Sequence, residues 1–460
     1  MAVPFVGPSY LLDTRTADVQ RSVNLYPAPI ESGSGKAAFM LKSIPGLVEF
    51  ASIGNEGRGA YEINGRAWVV VDDTLYEVFT DGTTADRGSL LTSTGFVSIK
   101  SNTTQLFLVD GDNAYVMPLD TNLLSRVTDP DFPGSDLTEY LDQYAIFAPA
   151  DGQSFSITAL GDATTIDALD SASSEASPDN LVGFAVINRE LWLLGRESGE
   201  VWFNSGNSEF PLERNNGSIF GVGCAGKWTI KPFNNTIAWV GADKSGGNGV
   251  WMAAGYQAQR ISNRSVEQAI AACTDMDHAI AYTQRIDGSV FYCLQLPGVD
   301  TTWCYDALTG AWHERADWTL GEYAQHRVSW YFRAFGKDLG LSTDGVLYQW
   351  DKEAFDNAGD PLVRDRISPH NAVPANDPIF YTDFRLDLDT EFAGIVTLRY
   401  SNDGGATWGS WDERNLGGIG GYMSRVRWLR CGSAMDRVWH VRCTDAVPFN
   451  PVSAIVNATR

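Results

Sequence analysis

Ala67-Trp68-Val69-Val70-Val71, the polar Asp72-Asp73-Thr74 and then Leu75-Tyr76-Glu77-Val78 read as two strands folded back on each other, because β-branched and aromatic residues fill both arms. The pattern returns at Leu106-Phe107-Leu108-Val109 with Ala114-Tyr115-Val116, and at Leu191-Trp192-Leu193-Leu194 with Val201-Trp202-Phe203. Seven such hairpins occur, with an aromatic or bulky second-arm residue near Tyr76, Tyr115, Phe155, Trp202, Trp251, Trp303 and Tyr348, at steps of 39 to 52 residues. Turn dipeptides join the arms: Asp110-Gly111, Asp151-Gly152, Ser198-Gly199, Gly246-Gly247 and Asp344-Gly345, where Gly tolerates φ > 0 and Asp bonds its own backbone. A repeat of about 45 residues predicts an all-β fold, a β-propeller with one blade per repeat, seven blades and six the nearest alternative. The rival is a large β-sandwich, which rarely keeps one hairpin period through roughly 300 residues.

Working outward, residues 1–58 hold Asn24-Leu25-Tyr26-Pro27-Ala28-Pro29 and Ser43-Ile44-Pro45-Gly46-Leu47, an extended lead-in with few regular strands that packs on the propeller or on a partner. The propeller spans 59–355. Within it the Asp/Ser/Ala-rich stretch 162–180 predicts a short acidic helix through Ile166-Asp167-Ala168-Leu169 before a turn at Pro178, and Ser265 caps a second through Ile270. Residues 356–378 carry Pro361, Pro369, Pro374 and Pro378, which resist both helix and central strand and so predict a linker. Beyond it, 379–460 reads as a small C-terminal β-sandwich with strands over 380–388, 395–400, 424–431 and 438–443.

At 460 residues, 44% hydrophobic and 12% aromatic, the chain can bury sizeable cores. Its first residues, Met1 to Pro8, carry no basic region followed by an apolar run, and no stretch approaches the length of a membrane span, so neither secretion nor membrane insertion is expected. Acidic residues outnumber basic ones 57 to 34, a net charge of -23 that repels phosphate backbones. Such a surface suits solubility, or a wall past which DNA moves without sticking. Six cysteines, Cys224, Cys273, Cys293, Cys304, Cys431 and Cys443, have no zinc spacing and read as small core residues in a reducing compartment. Cys431 and Cys443 could face each other across one sheet; without a signal peptide a disulfide is the minority option.

No motif carries catalysis. Gly33-Ser34-Gly35-Lys36 lacks the earlier Gly and the following Ser or Thr of a phosphate loop, and Gly417-Gly418-Ile419-Gly420-Gly421 is a flexible loop outside any βαβ unit. Asp110-Gly111-Asp112-Asn113 lacks the twelfth-position Glu of a calcium loop and sits where a turn is required. His278, His313, His326, His370 and His440 are scattered, and no Ser lies in a nucleophile elbow. Ser401-Asn402-Asp403-Gly404-Gly405-Ala406-Thr407-Trp408 fits the Asp box of sialidases and other propellers, where it is a structural turn. A sialidase also needs an arginine cluster and a Tyr nucleophile, which no spacing singles out. No catalytic, cofactor-binding or metal-ligating residue is therefore expected, and no cofactor.

Several segments together resemble the packaged-DNA stabilisation proteins of short-tailed phages, the tail accessory factors of the nozzle or hub. They are Asn24-Leu25-Tyr26-Pro27 with Ile44-Pro45-Gly46; Ile166-Asp167-Ala168-Leu169-Asp170 with Ser177-Pro178-Asp179; Arg189-Glu190-Leu191-Trp192-Leu193-Leu194-Gly195 with Glu200-Val201-Trp202; Thr302-Trp303-Cys304-Tyr305-Asp306 with Trp312-His313-Glu314-Arg315; and Arg425-Val426-Arg427-Trp428. The resemblance implies a virion protein assembled in the host cytoplasm: a ring of six copies docked under portal and adaptor, extending the DNA channel, holding the tail needle and supporting spikes or fibres. The second reading is a glycan-binding or sialidase-like propeller, which only the Asp box favours; the third is a cytoplasmic interaction hub.

Overall fold

The computed structural model describes residues 2–32, 35, 37–174, 177, 179–243, 246–372, 378–388, 392–417 and 425–459. Seven four-stranded antiparallel blades surround one axis, with innermost strands Gly57–Ile63, Ser98–Ser101, Thr138–Leu141, Leu181–Ile187, Lys231–Phe233, Ile280–Ile286 and Val328–Ala334. These strands define blades 1 to 7 in that order. The hairpins read from sequence are the second and third strands of each blade. The first and second are joined more tightly. In six of seven blades the link is two residues, both with φ > 0: Asn64-Gly65, Asp142-Gln143, Asn188-Arg189, Asn234-Asn235, Asp287-Gly288 and Phe335-Gly336. That is the type I′ geometry whose twist matches the strands it connects.

The apolar runs are continuous because both faces of a blade are covered. Ala67, Val69 and Val71 point into the core shared with blade 7, while Trp68 and Val70 point into the core shared with blade 2. Leu106 and Leu108 join Trp68, and Phe107 and Val109 turn the other way onto Phe147 of blade 3. Period-two alternation thus sorts one hydrophobic string into two interfaces.

Blade 7 is completed from the far end of the chain: Gly46–Ser52 pairs antiparallel with Val346–Asp351, Gly46 opposite Asp351 and Ser52 opposite Val346. Leu47, fully buried, packs on Val328, Tyr348 and Trp350. Gly46 is required here, since a Cβ would lie 2.3 Å from the Asp356 carbonyl oxygen. The lead-in is therefore richer in strands than its composition suggests, and it belongs to both halves of the molecule.

The C-terminal domain is a sandwich. One sheet runs in the order Ala2–Val3, Pro451–Thr459, Ile379–Leu388, Arg425–Ala434. The other continues blade 6: Trp312–Thr319 is followed by Val19–Val23, Arg364–Ile367, Asp436–Cys443, Ile395–Ser401 and Asp412–Asn415. The core between them includes Phe5, Phe384, Trp428, Trp439 and Phe449. The expected linker thus contains a central strand, Arg364–Ile367, flanked rather than interrupted by Pro361 and Pro369; Pro374 lies outside the described residues.

Other expectations are corrected. Residues 166–169 are not helical but lie in the strand Asp162–Ser173, and Pro178 is outside the described residues. The helix Arg264–Ala272 is capped by Asn263, whose side chain accepts from the Val266 N–H, while Ser265 donates to the Leu11 carbonyl. Cys431 and Cys443 sit on opposite sheets, and all six cysteines are free. Instead Cys293 and Cys304 face each other across blade 6, Sγ to Sγ 2.9 Å. Gly33, Ser34, Lys36 and residues 418–424 are outside the described residues.

The closing strand predicts its own test. Leu47→Ala should cost about 2–5 kcal/mol, read as a lowered urea midpoint; an unchanged midpoint would mean that blade 7 does not depend on this closure.

Candidate functional site

The strand Val19–Val23 joins the two halves by main-chain bonds, pairing in parallel with blade 6 at Val23–Glu314 and antiparallel with Arg364–Ile367. Asn24 follows with φ 56°. Its buried amide donates to the Ala316 and Val363 carbonyls at 2.8 Å each and accepts from the Ala316 N–H at 2.9 Å. Arg366 is fully buried and pairs with no carboxylate among the described residues. Its guanidinium instead donates to the carbonyls of Phe5, Gly7, Pro8 and Arg21 and to the Ser22 and Gln20 side chains, and burial pushes it down to about 9.

Charge accumulates around this seam. Arg21 grips Glu314 with two bonds, 3.0 and 2.5 Å, and Arg442 grips Asp365 with two, 2.8 and 2.6 Å. The Tyr323 hydroxyl also donates to Asp365, and His440 Nε2 lies 3.2 Å from the same carboxylate. Burial would raise the Asp365 carboxyl, but His440 and Arg442 hold it well below the usual range. Burial lowers His440 itself, against the pull of Asp365, while its Nδ1 accepts from Arg399.

The cations stack between rings: Arg399 lies 4.8 Å from the Trp408 centroid and 4.3 Å from Trp411, and Arg442 5.1 Å from Trp411 and 4.7 Å from Trp318. Trp318 meets Tyr323 edge-on at 5.0 Å, with Arg21 over Tyr323 at 5.2 Å. This ladder crosses from sandwich to propeller. Spacing alone singles out no arginine-and-tyrosine cluster, yet folding makes one from residues some 400 positions apart. Arg21 and Arg442 are each paired with a carboxylate of the chain, and burial raises the Tyr323 hydroxyl far above its ordinary value, so the cluster holds the seam together and offers no vacant guanidinium pair to a substrate.

The Asp box lies beside the seam as a turn. Ser401 donates to Asp403 at 2.6 Å, and Asp403 accepts from the Thr407 N–H and hydroxyl. Those bonds, Ser401 first, hold Asp403 at about 2. A cleft of about 710 Å³ opens between this turn, the N-terminal segment and the helix Arg264–Ala272, lined by Asp13, Arg15, Gln268, Asp300, Trp303 and Trp408. Asp110 likewise makes a hairpin turn, accepting from the Asn113 N–H at 3.1 Å and the Thr92 hydroxyl at 2.6 Å. Among the described residues no cluster of three or more His, Cys, Asp or Glu could hold a metal.

The propeller axis is stoppered. Phe96 from the start of blade 2 meets Trp228 from the start of blade 5 and Trp330 of blade 7, each edge-on at 5.3 Å. Beyond this plug lies the pair Lys100–Glu139, 2.8 Å, with Lys231 pushed down to about 8 by burial and by Lys100, against the pull of Glu139. Among the described residues no helix is long and apolar enough to cross a membrane.

Replacing Asp365 by Asn strands Arg442 in the seam and should cost about 3–5 kcal/mol. A carboxyl held below its ordinary pKa of about 3.9 contributes stability that is complete above that pH and is lost as pH falls toward the folded value. Acid unfolding curves of Asp365→Asn should therefore be flatter below pH 4 than those of the parent; superimposable curves would remove Asp365 from the seam's energetics.

No curated protein matches the chain. Among solved structures it is similar to the extracellular domain of BT4673 from B. thetaiotaomicron (8% identity, TM-score 0.45), of whose length it covers 40% with 66% of its own. It is also similar to YCF48 bound to D1 peptide (13%, TM-score 0.43, 67% of this chain and 97% of that one) and to the WD40 beta propeller domain of Doa1 (10%, TM-score 0.39, 67% and 96%). None of these likenesses says anything about function. The family model described as "Bacteriophage P22 Gp10, beta-propeller" matches residues 15–337, from the segment before the seam strand into blade 7, and this chain belongs to that phage-stabilisation family.

Proposed function

We propose that the protein is a non-enzymatic structural component of the virion: six copies close into a ring below the portal of a short-tailed phage, extend the DNA channel and retain the packaged genome until ejection. The same ring would meet the portal or adaptor on one side and the tail needle and spikes or fibres on the other. The family match over residues 15–337 carries this reading.

Two physical features support it. The axis of each propeller is closed by Phe96, Trp228 and Trp330, so DNA would pass between copies rather than through one. Residues 379–460 hold nine basic and nine acidic side chains, so the whole net charge of -23 resides in residues 1–378. An acidic wall forgoes the counterion release through which Lys and Arg bind DNA.

Phage particles lacking the protein should package DNA and then lose it, measured as nuclease-sensitive genomes after packaging; full retention would overturn the proposal. The free subunit should not shift duplex DNA at low salt, where basic binders hold tightest, and tight salt-sensitive binding would count equally against it.

A further inference from the structure

The outer strand of blade 3 carries an irregularity that secondary structure does not need. Ser156 pairs with Ser171 and Thr158 with Ile166, so four residues, Asp167-Ala168-Leu169-Asp170, are looped out between neighbouring pairs. The loop is held from within, Asp167 accepting from the Leu169 N–H at 2.9 Å and Ser171 donating to the Ala168 carbonyl at 3.1 Å. At its tip Leu169 is 85% exposed, between two carboxylates that have no ion-pair partner among the described residues. Burial and then the nearby charge of Asp167 push Asp170 up. The loop therefore presents one apolar side chain between two carboxylates.

A surface of opposite character lies elsewhere on the molecule. At the mouth of the propeller axis remote from the aromatic plug, a cavity of about 370 Å³ is lined by Ile187, Pro232, Phe233 and Val290 together with Arg285, Arg333 and several uncharged polar residues. Both arginines are exposed, and neither has an ion pair or side-chain hydrogen bond among the described residues; Asp338, opposite Arg333 on the next strand, is engaged by the Tyr331 hydroxyl at 2.7 Å. In residues 1–378, where acidic groups outnumber basic ones 48 to 25, two neighbouring unpaired arginines around an apolar hollow stand out.

We infer that the loop 167–170 of one copy inserts into the axial hollow of the next, Leu169 seated on the apolar wall and Asp167 and Asp170 paired with Arg285 and Arg333. The occupant is a second copy of this chain, chosen by size, polarity and charge together. Because knob and hollow are different patches of one molecule, the contact is heterologous, the kind that builds a closed ring when its rotation closes. Guanidinium forks pair carboxylates bidentately, which fixes orientation as well as attraction. This inference rests on the ring proposed above and supplies one contact that builds it.

The test uses full-length protein and measures assembly by native mass spectrometry and sedimentation. One variant carries Asp167→Arg and Asp170→Arg, the other Arg285→Glu and Arg333→Glu. All four positions are at the surface, so each variant should fold with parental circular dichroism and yet assemble about a hundredfold more weakly, the scale of opposed like charges in an interface. Mixing the two should restore rings of alternating copies, since each reversed knob then meets a reversed hollow. Leu169→Ala should weaken assembly too, whereas Leu320→Ala, at a fully exposed hairpin tip, should not. Parental assembly by both charge variants, or no rescue on mixing, would overturn the contact while leaving the ring intact. A parent chain that stays monomeric even on portal-bearing capsids would overturn the ring and this contact with it.

Discussion

The junction between propeller and sandwich depends on where the strand Val19–Val23 lies. Wedged between blade 6 and the strand Arg364–Ile367, it makes one hydrogen-bonded sheet out of propeller and sandwich. A strand in that place has no free edge, and its backbone donors and acceptors are satisfied on both sides. Asn24 then turns the chain at φ 56°, which an Asn tolerates better than most side chains. Its amide bonds to Ala316 and Val363 tie the turn to both neighbours.

The seam is polar for a buried junction, and its central arginines are bonded. Arg21, Arg366 and Arg442 are each spent on a carboxylate or on a set of carbonyls, and the aromatic ladder from Trp408 to Tyr323 covers their faces. Paired buried charges add little net stability over apolar packing, but removing one partner is expensive. Such a network therefore specifies one relative placement of the two halves more than it strengthens them. In the proposed ring, a rigid subunit would present its contact surfaces at a constant angle.

Much of the propeller was legible because its signals are local. Ala67 to Val78 declares a hairpin within twelve residues, and the recurrence of that unit declares the repeat. The Asp box and the turn at Asp110 were readable for the same reason, since their hydrogen bonds close within four residues. Composition misled where charge or proline hid a strand. Arg364-Asp365-Arg366 looks like a solvated linker, yet all three side chains are buried because partners from distant segments neutralise or bond them. Ile166 to Asp170 has helix-compatible residues, but the pairing of Ile166 and Ser171 on either side of 167–170 overrode that weak local preference.

The sequence by itself determined the class of fold, the number of blades and the shape of the turns, because strand alternation and turn chemistry act between near neighbours. Only the tertiary structure decided how the propeller closes, through Gly46–Ser52, and how it is welded to the sandwich, through Val19–Val23. It alone brought Arg21, Tyr323, Asp365 and Arg442 together. These are pairings between residues about 40 to 350 positions apart, selected by backbone hydrogen bonding and charge neutralisation in space, and neither leaves a periodic trace along the chain.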